Sequence, residues 1–198
     1  MKVIFLDHDG VMCLDTEWGS RYKKQKKWGG RKLSMSNSEV PLEYRFDNFN
    51  KKAVDVLNEI LVETDAEIVV SSDWRLHADL SEMGEYYVEQ GVVKKPIGYT
   101  DFFKVAFPSE WTGLRFRAEL EYERHREIQK WVDDNPHITN WVAVDDLNMS
   151  TEFFRLHFAS KDPNIPIVGL TNFVHTPRSA EGIKQSGVKE KIISFLKD

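Results

Sequence analysis

Among 198 residues there is one cysteine, Cys13, so no intramolecular disulfide can form and a reducing compartment suits the chain. No apolar run approaches the ~20 residues needed to cross a bilayer. The start, Met-Lys-Val-Ile-Phe5, leads straight into an acidic motif and leaves no room for a signal peptide, so a cytoplasmic location is expected. Cysteine pairs are missing, and the histidines at 8, 77, 125, 137, 157 and 175 form no His-Glu-x-x-His, which argues against a zinc site. There is no Gly-rich phosphate loop; Gly29-Gly30 stands alone and reads as a turn. Ser71 and Ser72 lack the Gly-x-Ser-x-Gly elbow of a serine nucleophile. Internal repeats and low-complexity tracts are also lacking. What remains is 41% hydrophobic and 12% aromatic, a composition that folds rather than one that stays disordered. The length suits one core, and a single domain over 1–198 is expected.

Three short apolar runs each finish in acids or hydroxyls. Val3-Ile-Phe-Leu6 is followed by Asp7-His-Asp9-Gly10-Val11, Glu67-Ile-Val-Val70 by Ser71-Ser72-Asp73, and Trp141-Val-Ala-Val144 by Asp145-Asp146. A continuous apolar tetrapeptide bounded by polar residues reads as a buried parallel strand. Parallel strands would bring all three polar sets to one edge of one sheet, where open α/β folds place their chemistry. Ser and Asp are also favoured helix N-caps, but a cap needs one such residue rather than a pair. Two carboxylates one residue apart make a hard-oxygen site for Mg²⁺, and they can divide nucleophile and acid/base work between them.

The order of these motifs resembles that of the haloacid dehalogenase (HAD) superfamily. Within it the chain is similar to the small HAD domain of RNA-repair and phage proteins. The similarity rests on Ser71-Ser72-Asp73-Trp74-Arg75, Arg124-x-x-Glu127-Ile128-x-x-Trp131, Trp141-Val-Ala-Val-Asp-Asp146, Phe173-Val174 and Gly182-Ile183, within a span from Lys2 to Phe195. One departure is His8, where relatives usually carry an apolar residue. The resemblance implies a HAD-like (Rossmannoid) α/β fold: a doubly wound parallel sheet with helices on both faces and small cap insertions. It also implies roles. Asp7 would be the nucleophile, Asp9 the acid/base and Ser71 a phosphate ligand, with Ser72 helping. Asp7, Asp9 (through its backbone carbonyl), Asp145 and Asp146 would hold Mg²⁺. A cation must offset the charge of nucleophile and phosphate. Arg124, Arg126 and Lys130 lie near the start of the helix before Asp145; the family pattern points to Arg124, Lys130 falls a turn and more too far along, and Arg126 and Lys130 read as surface charges. Arg75 is a further candidate for substrate, unless Trp74-Arg75 anchors the next segment.

Periodicity predicts helices over 50–62, over 119–132 with Asn135-Pro136 ending it, and from Ser186 to Leu196. Ile165-Pro-Ile-Val-Gly-Leu170 reads as a fourth strand, with Pro166 suggesting an edge. Strands alternating with helices favour the doubly wound sheet. Two stretches do not fit this alternation, 14–49 and 75–122, and both are expected to be cap insertions. The first concentrates Arg21, Lys23, Lys24, Lys26, Lys27, Arg31 and Lys32 without an acid, with Trp18, Tyr22 and Trp28 interleaved. Against a net charge of −5, such a patch either guides a polyanion or is a solvated helix face. On the first reading Lys23, Lys24, Lys27 and Trp28 bind substrate, because cations beside aromatics suit phosphates and stacked bases. The second stretch, with Tyr99, Phe102, Phe103, Phe107 and Trp111, reads as packing within a cap.

The expected activity is Mg²⁺-dependent hydrolysis of a phosphate monoester through an aspartyl-phosphate, on a nucleotide or a nucleic-acid end. A small sugar phosphate is the alternative substrate, and a catalytically silent HAD-like binding module the alternative class. No membrane and no obligate protein partner are expected.

Overall fold

A computed structural model describes residues 1–28, 40–103, 114–158 and 168–197. Five strands, β1 (Lys2–Leu6), β2 (Glu67–Val70), β3 (Gly98–Tyr99), β4 (Asn140–Asp145) and β5 (Phe173–His175), form one parallel sheet in the order β3-β2-β1-β4-β5. β1 lies at the centre, in register with β2 (Leu6 opposite Val70) and with β4 (Leu6 opposite Val144). Its Val3, Ile4, Phe5 and Leu6 are fully buried, which is why the run has no polar alternation. Each such side chain contributes about 1.5–3 kcal/mol relative to leaving it in water.

Side chains alternate between the faces and fill two cores. Ile4, Leu6, Ile68, Val70, Val142 and Val144 face one, while Val3, Phe5, Val69 and Ala143 face the other. The helices, in chain order, are α1 (Ser20–Trp28), α2 (Leu42–Arg45), α3 (Lys51–Thr64), α4 (Leu80–Glu89), α5 (Leu114–Asp134), α6 (Thr151–Phe158) and α7 (Val188–Leu196). α3, α4 and α7 cover the first face through residues such as Leu57, Tyr87 and Ile192; α5 and α6 cover the second through Ile128 and Phe154. The doubly wound α/β architecture expected from the alternation of elements is therefore present. α3 starts where the sequence places it, with the Asn50 side chain accepting from the N–H groups of Lys52 and Ala53. No described helix is long and apolar enough to cross a membrane.

Three expectations need correction. The final helix begins at Val188 rather than Ser186, because Gly187 precedes it in a left-handed conformation (φ 80°). The described end of the fourth apolar run, Val168–Leu170, is not strand; Ile165, Pro166 and Ile167 lie outside the described residues. Its backbone donors serve the start of α6 instead: Gly169 N–H reaches Thr151 Oγ1 (2.8 Å) and Leu170 N–H reaches the Met149 carbonyl (3.0 Å). A Cβ on Gly169 would lie 2.3 Å from the Thr151 nitrogen, so only glycine fits this approach. The edge strand is Phe173–His175, three residues further on. Finally, much of 75–122 belongs to the sheet layer and not to a cap. α4 buries Met83, Tyr86 and Tyr87 in the first core, and β3 pairs with β2. Phe107 and Trp111 lie outside the described residues.

Candidate active site

The chain fills one side of β1 with β2 and β3, then the other with β4 and β5. That reversal opens a crevice beyond the carboxyl ends of β1 and β4, where open α/β sheets bind ligands. Sheet hydrogen bonds continue into the polar residues there. Asp7 N–H donates to the Val144 carbonyl (3.1 Å), Ser71 N–H to Leu6 (3.0 Å) and Thr176 N–H to Asp145 (2.9 Å). The backbone ladder thus places Asp7, Ser71 and Asp145 side by side, as the three runs predict.

Asp7, Asp145 and Asp146 each offer a carboxylate oxygen, all within 4.8 Å of one another. Asp7 and Asp145 are buried and Asp146 is half-buried. Burial pushes the Asp7 carboxyl up to about 7, with Asp146 and Asp9 adding to the rise and Arg124 opposing it. Burial, then the Asp7 charge, raises Asp145 well above the usual carboxylate range. Gly10 makes this proximity feasible. At φ 73° it turns the chain after Asp9, and a Cβ there would sit 2.6 Å from Asp146 Oδ2. The His8 carbonyl accepts from the N–H groups of Val11, Met12 and Cys13, tying the loop into a compact turn.

Arg124, from α5, is the cation of the site. Its Nη1 lies 3.3 Å from both Asp7 Oδ1 and Asp145 Oδ2 and also donates to the Ser71 carbonyl, while Nη2 reaches Asp73 Oδ1 at 3.1 Å. Burial alone would lower its pKa; Asp145, Asp7, Asp73 and Glu127 together outweigh that and raise it. Arg126 instead pairs with Glu123, and Lys130 with Asp134 and Asp101, all on the protein's exterior. Position along the helix therefore separates the three candidates as the sequence pattern does. The Ser71 hydroxyl is buried and has no hydrogen-bond partner among the described residues, a state that leaves a donor open to an anionic ligand. Ser72 is buried beside it, and its side chain does not cap the 3₁₀ turn that follows (Asp73–Leu76), so capping does not account for the Ser-Ser pair.

Asp9 stands apart from the carboxylate cluster. Its Oδ2 accepts the Trp74 indole N–H at 2.9 Å, and desolvation raises its carboxyl despite that bond. Sequence reasoning did not identify this pairing; the two residues are 65 positions apart and no local pattern links them. His8, between the two acids, is fully buried among Phe49, Trp74 and Tyr87, and its Nε2 lies 2.6 Å from the Tyr87 hydroxyl. Burial, helped by the charges of Arg124 and Arg75, lowers its pKa to about 3 and keeps it neutral. It packs within this aromatic cluster.

Arg75 takes the anchoring role. Its guanidinium donates to Glu127 Oε2 (2.6 Å), to the Ser72 carbonyl (2.8 Å) and to the Asp101 carbonyl (3.2 Å), and it lies over the Phe102 ring. These bonds leave little of it for substrate. Glu127, which the motif comparison names without a role, is buried between Arg75 and Arg124 (3.7 Å to its Nε). In the basic segment, Lys23, Lys26 and Lys27 are exposed on α1. Lys24 is tied to Asn48 Oδ1 at 2.9 Å, and burial lowers its pKa. The Trp28 side chain, Arg31 and Lys32 lie outside what is described. Arg21 binds Asp47 through its backbone N–H (2.7 Å) and its guanidinium (3.9 Å). Cys13 is buried and its thiol pushed far up by burial, in keeping with a packing residue.

The donor set suits a hard divalent ion. Three clustered carboxylates beside one guanidinium offer oxygen ligands of the kind that bind Mg²⁺. No curated protein and no solved structure matches the chain significantly. A family model described as the HAD domain in Swiss Army Knife RNA repair proteins matches residues 3–172, nearly all of the sheet and every acidic motif described above. The chain belongs to that family of HAD domains.

Proposed function

We propose that the protein is a Mg²⁺-dependent phosphomonoesterase acting on a nucleotide or a nucleic-acid end. The observation that carries this reading is the buried pair Asp7 and Asp145, joined by Asp146 and bridged by Arg124 at the sheet's carboxyl edge. An Asp7 carboxylate oxygen attacks phosphorus, and the bond from phosphorus to the leaving oxygen breaks. Asp9, protonated at the outset, passes its proton to that oxygen. Asp9 then takes a proton from water as the water oxygen attacks the aspartyl-phosphate; the bond to Asp7 breaks and inorganic phosphate leaves. Ser71 Oγ donates to a phosphate oxygen, and Arg124 offsets charge as the phosphoryl group transfers. The carboxylates of Asp7, Asp145 and Asp146 would hold Mg²⁺, with the Asp9 backbone carbonyl as a further ligand. Bound there, the ion supplies charge stabilisation to phosphate and nucleophile.

The family's RNA-repair context and the exposed lysines of α1 support a nucleic-acid or nucleotide substrate. Trp18 and Tyr22, each about half exposed, flank Arg21 in the chain and offer aromatic faces beside those cations. A phosphate-release screen with Mg²⁺ or EDTA, over nucleotides, phosphorylated oligonucleotide ends and sugar phosphates, tests the reading. Mg²⁺-dependent release from nucleotides or oligonucleotides is expected. Release from sugar phosphates alone would overturn the substrate class, and no release from any of them would overturn the activity.

A further inference from the structure

We propose that Trp74 is a positioning residue for proton transfer, holding one oxygen of Asp9 so that the other faces the leaving group. This rests on the phosphatase reading above. Asp9 is exposed at the mouth of the site, so its carboxyl would otherwise rotate freely. Trp74 is 2% exposed and cannot follow it. Its ring is stacked on Phe46 (centroids 4.7 Å apart, planes at 12°) and on Phe49 (5.7 Å, 20°), with the His8 ring 4.6 Å away on a tilted plane. The His8 ring is fixed in turn by the Tyr87 hydroxyl. The indole N–H emerges from this aromatic block as a rigid donor and takes Asp9 Oδ2 at 2.9 Å. Among the described residues no other side chain donates to the Asp9 carboxyl, so Oδ1 is left for the proton that the leaving oxygen receives.

The aromatic block explains two residues the chemistry does not otherwise use. His8 fills the block between Phe49, Trp74 and Tyr87, and its ring edge meets the Tyr87 hydroxyl. Trp74 also couples the first motif to the second, since it lies two residues after Ser72. A catalytic acid must lie within hydrogen-bond reach of the atom it protonates, and misplacement costs rate even when the group is present.

The test compares kcat/KM for p-nitrophenyl phosphate and benzyl phosphate, which are alike in size. Nitrophenolate leaves without a proton, whereas a benzyl alkoxide needs one. Trp74→Phe keeps the ring but removes the N–H, and should lower kcat/KM for benzyl phosphate about ten- to a hundredfold more than for the nitrophenyl ester, the range for a charge-assisted hydrogen bond. Phe46→Leu keeps the donor but loosens the block that fixes it, and should shift the ratio of the two substrates in the same direction by a smaller factor. Equal losses with Trp74→Phe would overturn the proposal. A measurement without turnover separates this from failure of the phosphatase reading. In Asp9→Ala, which keeps Trp74, one of the six tryptophan indole N–H resonances should move strongly upfield. If none moves, Trp74 does not hold Asp9, whatever the enzyme hydrolyses; if the shift appears and the wild-type protein releases no phosphate, the activity is what has failed.

Discussion

Replacing Arg124 by Met removes the one guanidinium that touches Asp7, Asp145, Asp73 and the Ser71 carbonyl, while keeping much of the stem volume. Two buried carboxyls then lose their cation. Breaking a buried ion pair from one side costs about 3–5 kcal/mol, and a chain of this length loses about 2–4 °C of Tm per kcal/mol, giving a drop of about 6–20 °C. The loss should depend on pH, and its direction follows from the Asp7 shift. Its folded-state pKa is raised to about 7 from 3.8, so this group's contribution is fully present below the lower value and is lost as pH rises through the upper one. Arg124 lowers that folded value, so its removal lifts it further, and Asp145 follows for the same reason. Below pH 6 Asp7 is largely protonated with or without Arg124, and the variant loses mainly hydrogen bonds there, about 1–2 kcal/mol. As pH rises through about 7 the gap to the wild type should widen. Thermal denaturation followed by circular dichroism in EDTA, at pH 5.5 and pH 8.5, reads this directly. A destabilisation of equal size at both pH values would refute the electrostatic account and leave Arg124 as a packing residue.

Asp7→Asn should abolish phosphate release, since an amide cannot attack phosphorus, yet raise Tm in EDTA above pH 7 because it removes a buried carboxylate; near-wild-type turnover in a folded variant would rule out Asp7 as the nucleophile. Asp145→Ala should weaken Mg²⁺ binding by at least tenfold in calorimetry, and an unchanged affinity would remove it from the metal site. Replacing Lys23, Lys26 and Lys27 together by Ser should raise KM for a phosphorylated oligonucleotide more than for p-nitrophenyl phosphate, with a shallower salt dependence, whereas a merely solvated helix face predicts equal small effects on both.

The first motif, the hydroxyl pair and Asp145-Asp146 were legible because each follows a buried strand, and a parallel register converts position along the chain into position at one edge. Arg124 was legible only through the family pattern, since nothing local distinguishes it from Arg126. The hidden parts depend on contacts across the chain. Trp74 reaches Asp9 over 65 residues and His8 reaches Tyr87 over 79, and side chains meeting at such distances leave no periodic trace. β3 is two residues long, too short to register as an apolar run, which is why the layer containing α4 reads as an insertion. The location of β5 was obscured differently: Ile165–Leu170 is the more apolar run, but its described backbone bonds are committed to the start of α6.

The amides of Asp7 and Ser71 are rungs of the central ladder, bonded to the Val144 and Leu6 carbonyls. Their exchange with deuterated solvent should therefore await opening of the whole sheet and report the global unfolding free energy. Arg124 reaches the same point from a helix, which can shift without parting any strand. The site thus joins a half that moves only when the protein unfolds to a half free to adjust on faster timescales. On the phosphatase reading, adaptation to differently shaped esters arises in the second half, because Asp7 and Ser71 are fixed to the frame.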